Sequence, residues 1–402
     1  MRSRPPVRAP DATTLTPRPA NCLQIALPAL QAVARLVTAA APSNVIADRA
    51  QGPTMTRLSL SLAVLVAAGC AYDAPTIFLS NSSTTTRNAS GASSTWHPVD
   101  LGIDTAATGT GAWAVSRQLN IAGLSNFPTQ PSPFTFVKRA GGGYRYLTPL
   151  PGHTIASPTG INDAGLISGR SYLNAVSLPT PVFWDSEGRA GAIPGLVNGE
   201  AFDVSETAWI VGYAILFTGI RGFRWRPGTA ATLLLGEFPS SLTRAVAIND
   251  AGIAVGDDGR PALWDHSGVM HRLPAPAGAR FGTATDINNA GEVVGEFRFA
   301  SGVTRAFRWT ASQGLTLLPN PPGTTSSYAT HIDERGRVFG FAAGTSAPTL
   351  PKAYVWVDGS PIPLPQLYPD AYFRDVSACG VAVGHGTAAD GKLHAIVWLT
   401  EC

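Results

Sequence analysis

The sequence predicts an all-β fold, a seven-bladed β-propeller of four-stranded blades, with an N-terminal strand completing the last blade. Two recurring sequence elements predict it, a ten-residue frame and an aromatic strand that follows each frame. Composition agrees, because the 402 residues include 42 glycines and 33 prolines but only 14% charged residues. Such a chain suits many short strands joined by tight turns.

The ten-residue frame is seen most clearly at residues 286–295, which read DINNAGEVVG. Seven copies end at the closing glycines Gly123, Gly169, Gly212, Gly256, Gly295, Gly340 and Gly384. Successive closing glycines are 46, 43, 44, 39, 45 and 44 residues apart. A period of about 40–45 residues is typical of propeller blades, so we assign one blade to each copy.

Positions within the frame predict a tight hairpin between the first two strands, a and b, of each blade. The third position carries a short polar residue, which opens turns by bonding nearby backbone N–H groups. The sixth position is glycine in five copies, where a positive φ is expected, but Leu119 and Ala208 occupy it in the other two. The closing glycine lies inside strand b and predicts a bulge or a close approach between blades.

An aromatic residue ends the third strand, c, of each copy. The positions are Phe136, Trp184, Trp225, Trp264, Trp309, Trp356 and Trp398. An apolar residue lies two positions earlier in most copies, so both side chains face the same side of the strand. We expect these aromatic residues to form the core between blades.

The frame and the aromatic strand together resemble the HAF-repeat family of extracellular proteins. That family pairs an Ile-Asn-x-x-Gly-x-Val-Val-Gly hairpin with a His-Ala-Phe-x-Trp strand. The resemblance covers residues 114–398, although the seventh copy alone keeps the histidine, at His394. It implies an exported β-repeat protein.

The N-terminal quarter of the chain predicts export. Residues 55–70 have a basic residue, a short apolar run and the ending Val-Ala-Ala-Gly-Cys, as in a signal peptide. The ending resembles a bacterial lipobox, which implies that Cys70 receives lipid and becomes the mature N-terminus. The alternative is secretion with cleavage near Cys70 and no lipid.

The same interpretation divides the chain into four parts. We expect residues 1–54 to be a misassigned upstream extension, or else a disordered leader. Residues 55–70 are the signal, residues 71–94 are a flexible tether rich in Ser, Thr and Asn, and residues 95–402 are the propeller. A tether of this composition buries too little apolar surface to fold.

The two ends of the propeller domain are predicted to meet. The seventh copy has strands a, b and c, but the chain stops four residues after Trp398. Residues 95–102 are therefore expected to supply its fourth strand and remove the open edge. Cys379 and Cys402 are expected to be close enough for a disulfide; the alternative is two free thiols.

Candidate binding residues lie on the loops that vary between copies. The b–c and d–a loops share one face of the predicted propeller, and binding residues concentrate on variable loops of a rigid scaffold. They carry six aromatic or charged candidates, namely Arg280, Phe281, Tyr328, Tyr368, Asp370 and Tyr372. These residues suit contact with a sugar or a peptide; the alternative is ordinary loop packing.

The first frame position carries Asp203, Asp286, His331 and Asp375 in four copies. These side chains would line the central channel, where carboxylates could hold a hard cation or simply cap the adjacent turn. We favour capping and expect no metal and no cofactor. Sequence motifs for nucleophilic, zinc or phosphate chemistry are absent.

These observations predict a binding or structural module of the bacterial cell envelope, outer-membrane-anchored or extracellular, rather than an enzyme. A glycan, a peptide or an envelope protein would be its partner, and lipid would be its one contact with the membrane. A net charge of +3 without basic clusters argues against nucleic acid, and we expect a monomer. The alternative function is a propeller hydrolase or lyase acting on polysaccharide.

Overall fold

The computed structural model describes residues 96–401, except residues 105, 131, 141, 239–240 and 345–350. The predicted extension, signal and tether, including Cys70, lie outside these residues, as does Cys402. The described residues form strands and turns. Among them no helix has the length and apolar character needed to cross a membrane.

The described residues form 28 strands, which we group into quartets, each made of four strands that pair antiparallel. The first two quartets are β2 (Gly109–Val115), β3 (Ile121–Asn126), β4 (Phe134–Lys138) and β5 (Tyr144–Leu147), then β6 (Ile155–Ile161), β7 (Ile167–Tyr172), β8 (Thr180–Trp184) and β9 (Ala190–Ala192). The third and fourth are β10 (Gly199–Val204), β11 (Ile210–Leu216), β12 (Gly219–Trp225) and β13 (Thr232–Leu234), then β14 (Arg244–Ile248), β15 (Ala254–Asp257), β16 (Pro261–Trp264) and β17 (Met270–Arg272). The fifth and sixth are β18 (Ala279–Ile287), β19 (Val293–Phe299), β20 (Thr304–Thr310) and β21 (Gly314–Leu317), then β22 (Ser326–Ile332), β23 (Val338–Ala343), β24 (Lys352–Val357) and β25 (Ser360–Pro363). The last is β26 (Tyr372–Val376), β27 (Ala382–Thr387), β28 (Leu393–Leu399) and β1 (His97–Gly102).

The strands of the described residues are arranged in six sheets. Five sheets are single quartets, and the sixth contains eight strands. This larger sheet combines the last and first quartets, which are joined by one parallel bridge between Gly109 and Leu393. The all-β prediction is therefore confirmed, whereas seven separate four-stranded sheets are not observed.

The N-terminal strand completes the last quartet as predicted. β1 pairs antiparallel with β28, with His97 opposite Leu399 and Val99 opposite Val397. Trp96, just before this strand, is 2% exposed, and its indole N–H donates to the carbonyl of Gly380 at 3.0 Å. The pairing therefore brings both ends of the described chain into one sheet.

The frame forms the predicted hairpin. At its third position, Asn288 Oδ1 accepts the backbone N–H of Glu292 at 3.0 Å, and the equivalent bond recurs in the other copies. The five glycines at the sixth position have φ between +75° and +82°. Leu119 and Ala208 adopt the same left-handed conformation, with φ of +62° and +65°. Hairpin geometry thus persists where the glycine is lost.

The closing glycines are explained by a bulge in the neighbouring strand. In every quartet the register of the first strand shifts by one residue, for example between Ala284 and Asp286. The bulge brings the carbonyl oxygen of Thr283 so close to Gly295 that a Cβ would collide with it. The predicted approach between blades is therefore wrong, because the crowding comes from the same sheet.

Most of the predicted aromatic residues are buried between successive quartets. The indoles of Trp184, Trp264, Trp356 and Trp398 each donate to a carbonyl just beyond the last strand of the preceding quartet, at 2.6–2.8 Å. Trp309 differs from these residues in that its side chain is partly exposed. A further buried cluster, which includes Phe136 and Val397, lies between the first and last quartets.

Candidate ligand-binding site

Two positions in each quartet, the bulged residue and the residue after the closing glycine, do not follow the repeat. They can therefore differ between quartets without disturbing the scaffold. The bulged residues are Trp113, Thr159, Phe202, Val246, Thr285, Thr330 and Arg374. The residues after the closing glycines are Leu124, Arg170, Tyr213, Asp257, Glu296, Phe341 and His385. Variation on a constant scaffold is the usual background of a binding surface, so these positions define where a site can form.

Four of these variable side chains, together with Tyr372, meet where the sixth, last and first quartets adjoin. We call Trp113, Phe341, Tyr372, Arg374 and His385 the aromatic–arginine cluster. The guanidinium carbon of Arg374 lies 4.6 Å from the ring centre of Trp113 and 5.0 Å from that of Tyr372. Both distances are within the range of cation–π attraction, so the two rings hold the charge in place.

The rings of the cluster form a stacked platform. Tyr372 lies nearly parallel to Phe341, with ring centres 4.3 Å apart and 8° between the planes. Phe341 also stacks on Phe373, at 4.5 Å and 10°. Phe341 and Phe373 are buried, while Tyr372 is exposed. Tyr372 therefore lies between the ring of Phe341 and the guanidinium of Arg374, with part of its side chain exposed to solvent.

Arg374 carries a charge that no carboxylate of the described residues neutralises. Its side chain is exposed, and among the described residues no carboxylate lies within ion-pairing distance of it. Two other arginines near the bulges differ, because Arg170 pairs with Glu200 at 2.6 Å and Arg244 pairs with Asp257 at 3.0 Å. The cluster is thus prepared to receive an anionic group.

His385 adds a neutral imidazole to the cluster. It lies opposite Tyr372 in the pairing of β26 with β27, and its Nδ1 atom is buried without a hydrogen-bond partner. Burial, assisted by the nearby charge of Arg374, lowers the pKa of His385 below its usual value. The ring is therefore uncharged at neutral pH and able to accept a hydrogen bond or a proton.

The sequence-predicted binding residues are only partly brought together. Tyr372 belongs to the cluster, and Tyr328 lies opposite Phe341 in the pairing of β22 with β23. Arg280 and Phe281 are exposed on β18 of the fifth quartet, one quartet removed from Phe341. A role for these two residues in binding stays a prediction.

Tyr368 and Asp370 lie in the loop before β26, where both bond to the protein itself. The hydroxyl of Tyr368 donates to Asp100 Oδ2 at 2.7 Å, and this bond, with burial, raises the pKa of Tyr368 to about 12. Asp370 accepts the backbone N–H and the hydroxyl of Thr387 at 2.9 and 2.6 Å. These bonds shape the loop beside the cluster.

Sequence reasoning missed Trp113, Phe341, Arg374 and His385. Trp113 and Arg374 occupy the bulged position, and a bulge leaves no trace in the spacing of the frame. Phe341 and His385 directly follow the closing glycine, inside a strand that was read as scaffold. A comparison of the copies position by position would have singled them out, because neighbouring frame positions barely change.

The acidic residues at the first frame position act between quartets. Asp375 Oδ1 accepts the N–H of Val376, and its Oδ2 accepts that of Val115 in the first quartet, both at 2.7 Å. Asp203 and Asp286 bridge their neighbours in the same way. Among the described residues no group of three or more His, Cys, Asp or Glu side chains is arranged to hold a metal.

Burial of these carboxylates changes their titration. It raises the pKa of Asp203 to about 6 and that of Asp375 to about 7, although the accepted backbone N–H groups oppose the change. Burial also lowers the pKa of His331 to about 4. His331, whose Nε2 lies 3.4 Å from Asp375 Oδ1, is therefore an uncharged neighbour of this carboxyl group at neutral pH.

Comparison with known proteins identifies the class of fold. No family model matches the chain, and no curated protein matches it in sequence. Virginiamycin B lyase from Staphylococcus aureus is similar in structure, with a TM-score of 0.51 and 12% identity over 76% of this chain and 99% of that chain. A catalytically inactive form of it with Quinupristin gives the same values. A streptogramin B lyase gives 0.50 and 11% over 76% and 98%. These proteins are β-propellers, so the likeness shows an all-β, propeller-type fold.

The comparison also corrects the expectation that the protein is not an enzyme. The three structures named above are lyases, so the absence of contiguous catalytic motifs was not a valid ground for excluding catalysis. In a repeat fold, side chains from separate copies meet in space while they remain dozens of residues apart in sequence, as the cluster itself demonstrates.

Proposed function

We propose that this protein is an exported β-propeller that binds an acidic saccharide at the aromatic–arginine cluster. The observation that carries the proposal is the exposed guanidinium of Arg374, which lies between two aromatic rings and pairs with no carboxylate in the described part of the chain. Guanidinium groups recognise carboxylates through paired hydrogen bonds. The exposed edge of Tyr372 would contact the sugar ring beside the carboxylate.

The proposal includes a seven-bladed ring in which each quartet is one blade. The eight-stranded sheet would then be the last and first blades, which touch at a single bridge. Buried clusters between successive quartets support this arrangement, as does the cluster between the last quartet and the first. Asp375, which bonds to Val115 across the same junction, supports it too.

We also propose that the protein belongs to the HAF-repeat group and is held at the bacterial cell envelope by lipid on Cys70. This location is supported by the lipobox-like residues 66–70 and by the polar segment that follows them. Metabolic labelling with a fatty-acid probe should mark the wild-type protein but not Cys70→Ser. Equal labelling of the variant would reject the anchor.

A disulfide between Cys379 and Cys402 forms part of the same proposal. Cys379 is disulfide-bonded, and Cys22, Cys70 and Cys402 are the other cysteines of the chain. Cys379 lies in the hairpin before β27, and this position favours a disulfide partner near the end of β28. Peptide mapping without reductant should recover the cross-linked pair; two free thiols would contradict it.

A second candidate function is a lyase acting on the same acidic saccharide, favoured by the neutral imidazole of His385 beside Arg374. Arg374 would hold the carboxylate, and His385 would take the proton from the adjacent carbon. The released electron pair would form a carbon–carbon double bond while the glycosidic carbon–oxygen bond breaks. The departing oxygen would then take a proton from solvent.

A glycan array tests both candidates. We expect the protein to bind saccharides that contain uronic acids and to bind their neutral counterparts much more weakly. Incubation of the bound glycan in solution separates the two functions, because a lyase produces unsaturated products that absorb ultraviolet light. Equal binding of acidic and neutral glycans, or binding of none, would reject the proposal.

A further inference from the structure

Several exposed apolar side chains lie at one end of the second, third and fourth quartets. We call Leu173, Val176, Leu178, Val197, Phe217 and Leu242 the apolar arc. Val176 and Val197 are 94% and 72% exposed, and Phe217, at the tip of the β11–β12 hairpin, is 109% exposed. All six belong to b–c or d–a loops, which share one face of the domain.

The loops of the apolar arc are joined by hydrogen bonds. Thr180 Oγ1 donates to the carbonyl of Val197 at 3.0 Å, and the N–H of Ile215 donates to the carbonyl of Asn198 at 2.9 Å. The N–H of Thr243 donates to the carbonyl of Ile220 at 3.2 Å. The arc is thus one continuous surface held in place by the scaffold.

The composition of the arc favours lipid over protein as its occupant. Residues 173–180, 193–199 and 215–220, which carry five of the six arc residues, contain no charged residue, and none of them is Tyr, Trp or Arg; the loop of Leu242 also contains Glu237. Protein interfaces are enriched in those three residue types and have a polar rim. Exposed apolar surface without charge can instead enter the boundary between lipid headgroups and acyl chains without desolvating an ion.

The shape of the arc also favours lipid as its occupant. Phe217 projects from a hairpin whose base is braced by Arg221, which donates to the carbonyls of Thr218 and Ile220 at 3.0 and 2.9 Å. A protruding, stiffened apolar tip suits insertion into a soft surface. The sequence between Cys70 and Trp96 is 25 residues long and spans up to about 85 Å when extended, enough for an anchored domain to turn this face to the bilayer.

We propose that the apolar arc docks the domain on a lipid bilayer, in addition to any covalent lipid. This inference does not depend on saccharide binding, and it holds without acylation. Its consequence is an orientation in which the b–c and d–a loops face the membrane surface.

Vesicle flotation of the full chain carrying Cys70→Ser tests this proposal without a covalent anchor. The vesicles consist of phosphatidylethanolamine and phosphatidylglycerol. We expect the protein to float with the vesicles, and we expect Val176→Ser with Phe217→Ser to weaken partitioning about tenfold or more, given the apolar area removed. The control is Val269→Ser, which changes a valine that is 55% exposed and lies in the turn between β16 and β17 at the other end of the strands.

Three outcomes would overturn the proposal. One is absence of vesicle binding by the Cys70→Ser chain. Another is equal loss of binding in the Val269→Ser control. The third is dimerisation in analytical ultracentrifugation that the double variant abolishes while vesicle binding is unaffected, because the arc would then join two copies. Thermal melts of all variants establish that each one is folded.

Discussion

At the scale of single residues, the hairpin imposes a left-handed backbone conformation even on residues that disfavour it. Ala208 and Leu119 take the left-handed conformation that glycine takes in five other copies. A left-handed backbone costs an ordinary L-residue about 1–2 kcal/mol. The surrounding hydrogen bonds, such as that from the N–H of Ala208 to the carbonyl of Ser205 at 3.1 Å, offset this cost.

Ala208→Gly is expected to stabilise the protein. Glycine removes the Cβ strain but adds conformational entropy to the unfolded chain, so the net gain in the free energy of unfolding should be about 0.5–1 kcal/mol. Urea denaturation of the wild-type and variant proteins measures this gain in the free energy of unfolding. Ala251→Gly is the control, because Ala251 is exposed in the next hairpin with an ordinary backbone. It should lose stability, and a loss in Ala208→Gly as well would contradict the strain argument.

Asp375 should make stability depend on pH. Its folded pKa of about 7 lies above the unfolded value, so its contribution is present at low pH and is lost as pH rises through 7. Lowering the pH from 8 to 6.5 should therefore raise the contribution of Asp375 to the free energy of unfolding by about 1 kcal/mol, while His331 and His385, whose pKa values burial lowers, act in the opposite direction. Asp375→Asn should flatten this rise.

His394 must be separated from that effect. Asp100 and Asp390 oppose its desolvation, and the pKa of His394 is raised, so its contribution has the same sign. His394→Gln is therefore the parallel variant. If Asp375→Asn keeps the full wild-type slope while His394→Gln removes it, the explanation based on Asp375 fails.

At the scale of secondary structure elements, the sequence predicted what is repeated and missed what is local. The constant spacing of the closing glycines predicted the hairpins, and the missing fourth strand of the last copy predicted the role of residues 95–102. The bulge before each closing glycine was not predicted, because one inserted residue in a strand does not alter the period. That bulge is what turns Trp113 and Arg374 toward the candidate site.

Trp96 is expected to hold the N-terminal strand in place. Its buried ring meets Phe339 edge to face at 5.6 Å and lies under the guanidinium of Arg337 at 5.0 Å. Trp96→Ala should lower the free energy of unfolding by about 3–5 kcal/mol, as for other buried aromatic residues. His97→Ala, an exposed neighbour in the same strand, is the control. Similar denaturant melts for both variants would argue against closure by this strand.

At the scale of the whole molecule, the fold could be predicted and the site could not. The architecture could be predicted because every copy carries the same sequence pattern and therefore indicates the same strands and turns. A binding site depends on the few residues that differ between copies and on which copies become neighbours. Tyr372 was found because it is an aromatic residue near a variable loop, whereas Phe341 and His385 lie within strands. The junction of the last and first copies, where the cluster forms, joins residues more than 250 positions apart.

Calorimetric titration with an oligogalacturonide tests the central claim most directly. The guanidinium of Arg374 should bind the sugar carboxylate, and a charge-assisted contact of this kind contributes about 1.5–3 kcal/mol. We expect measurable binding by the wild-type protein and binding that is weaker by about 10- to 100-fold in Arg374→Gln. Arg298→Gln, which changes an exposed arginine of β19, should bind like the wild type. Equal affinity of the wild-type and Arg374→Gln proteins, or equal binding of the fully methyl-esterified oligosaccharide, would contradict the account.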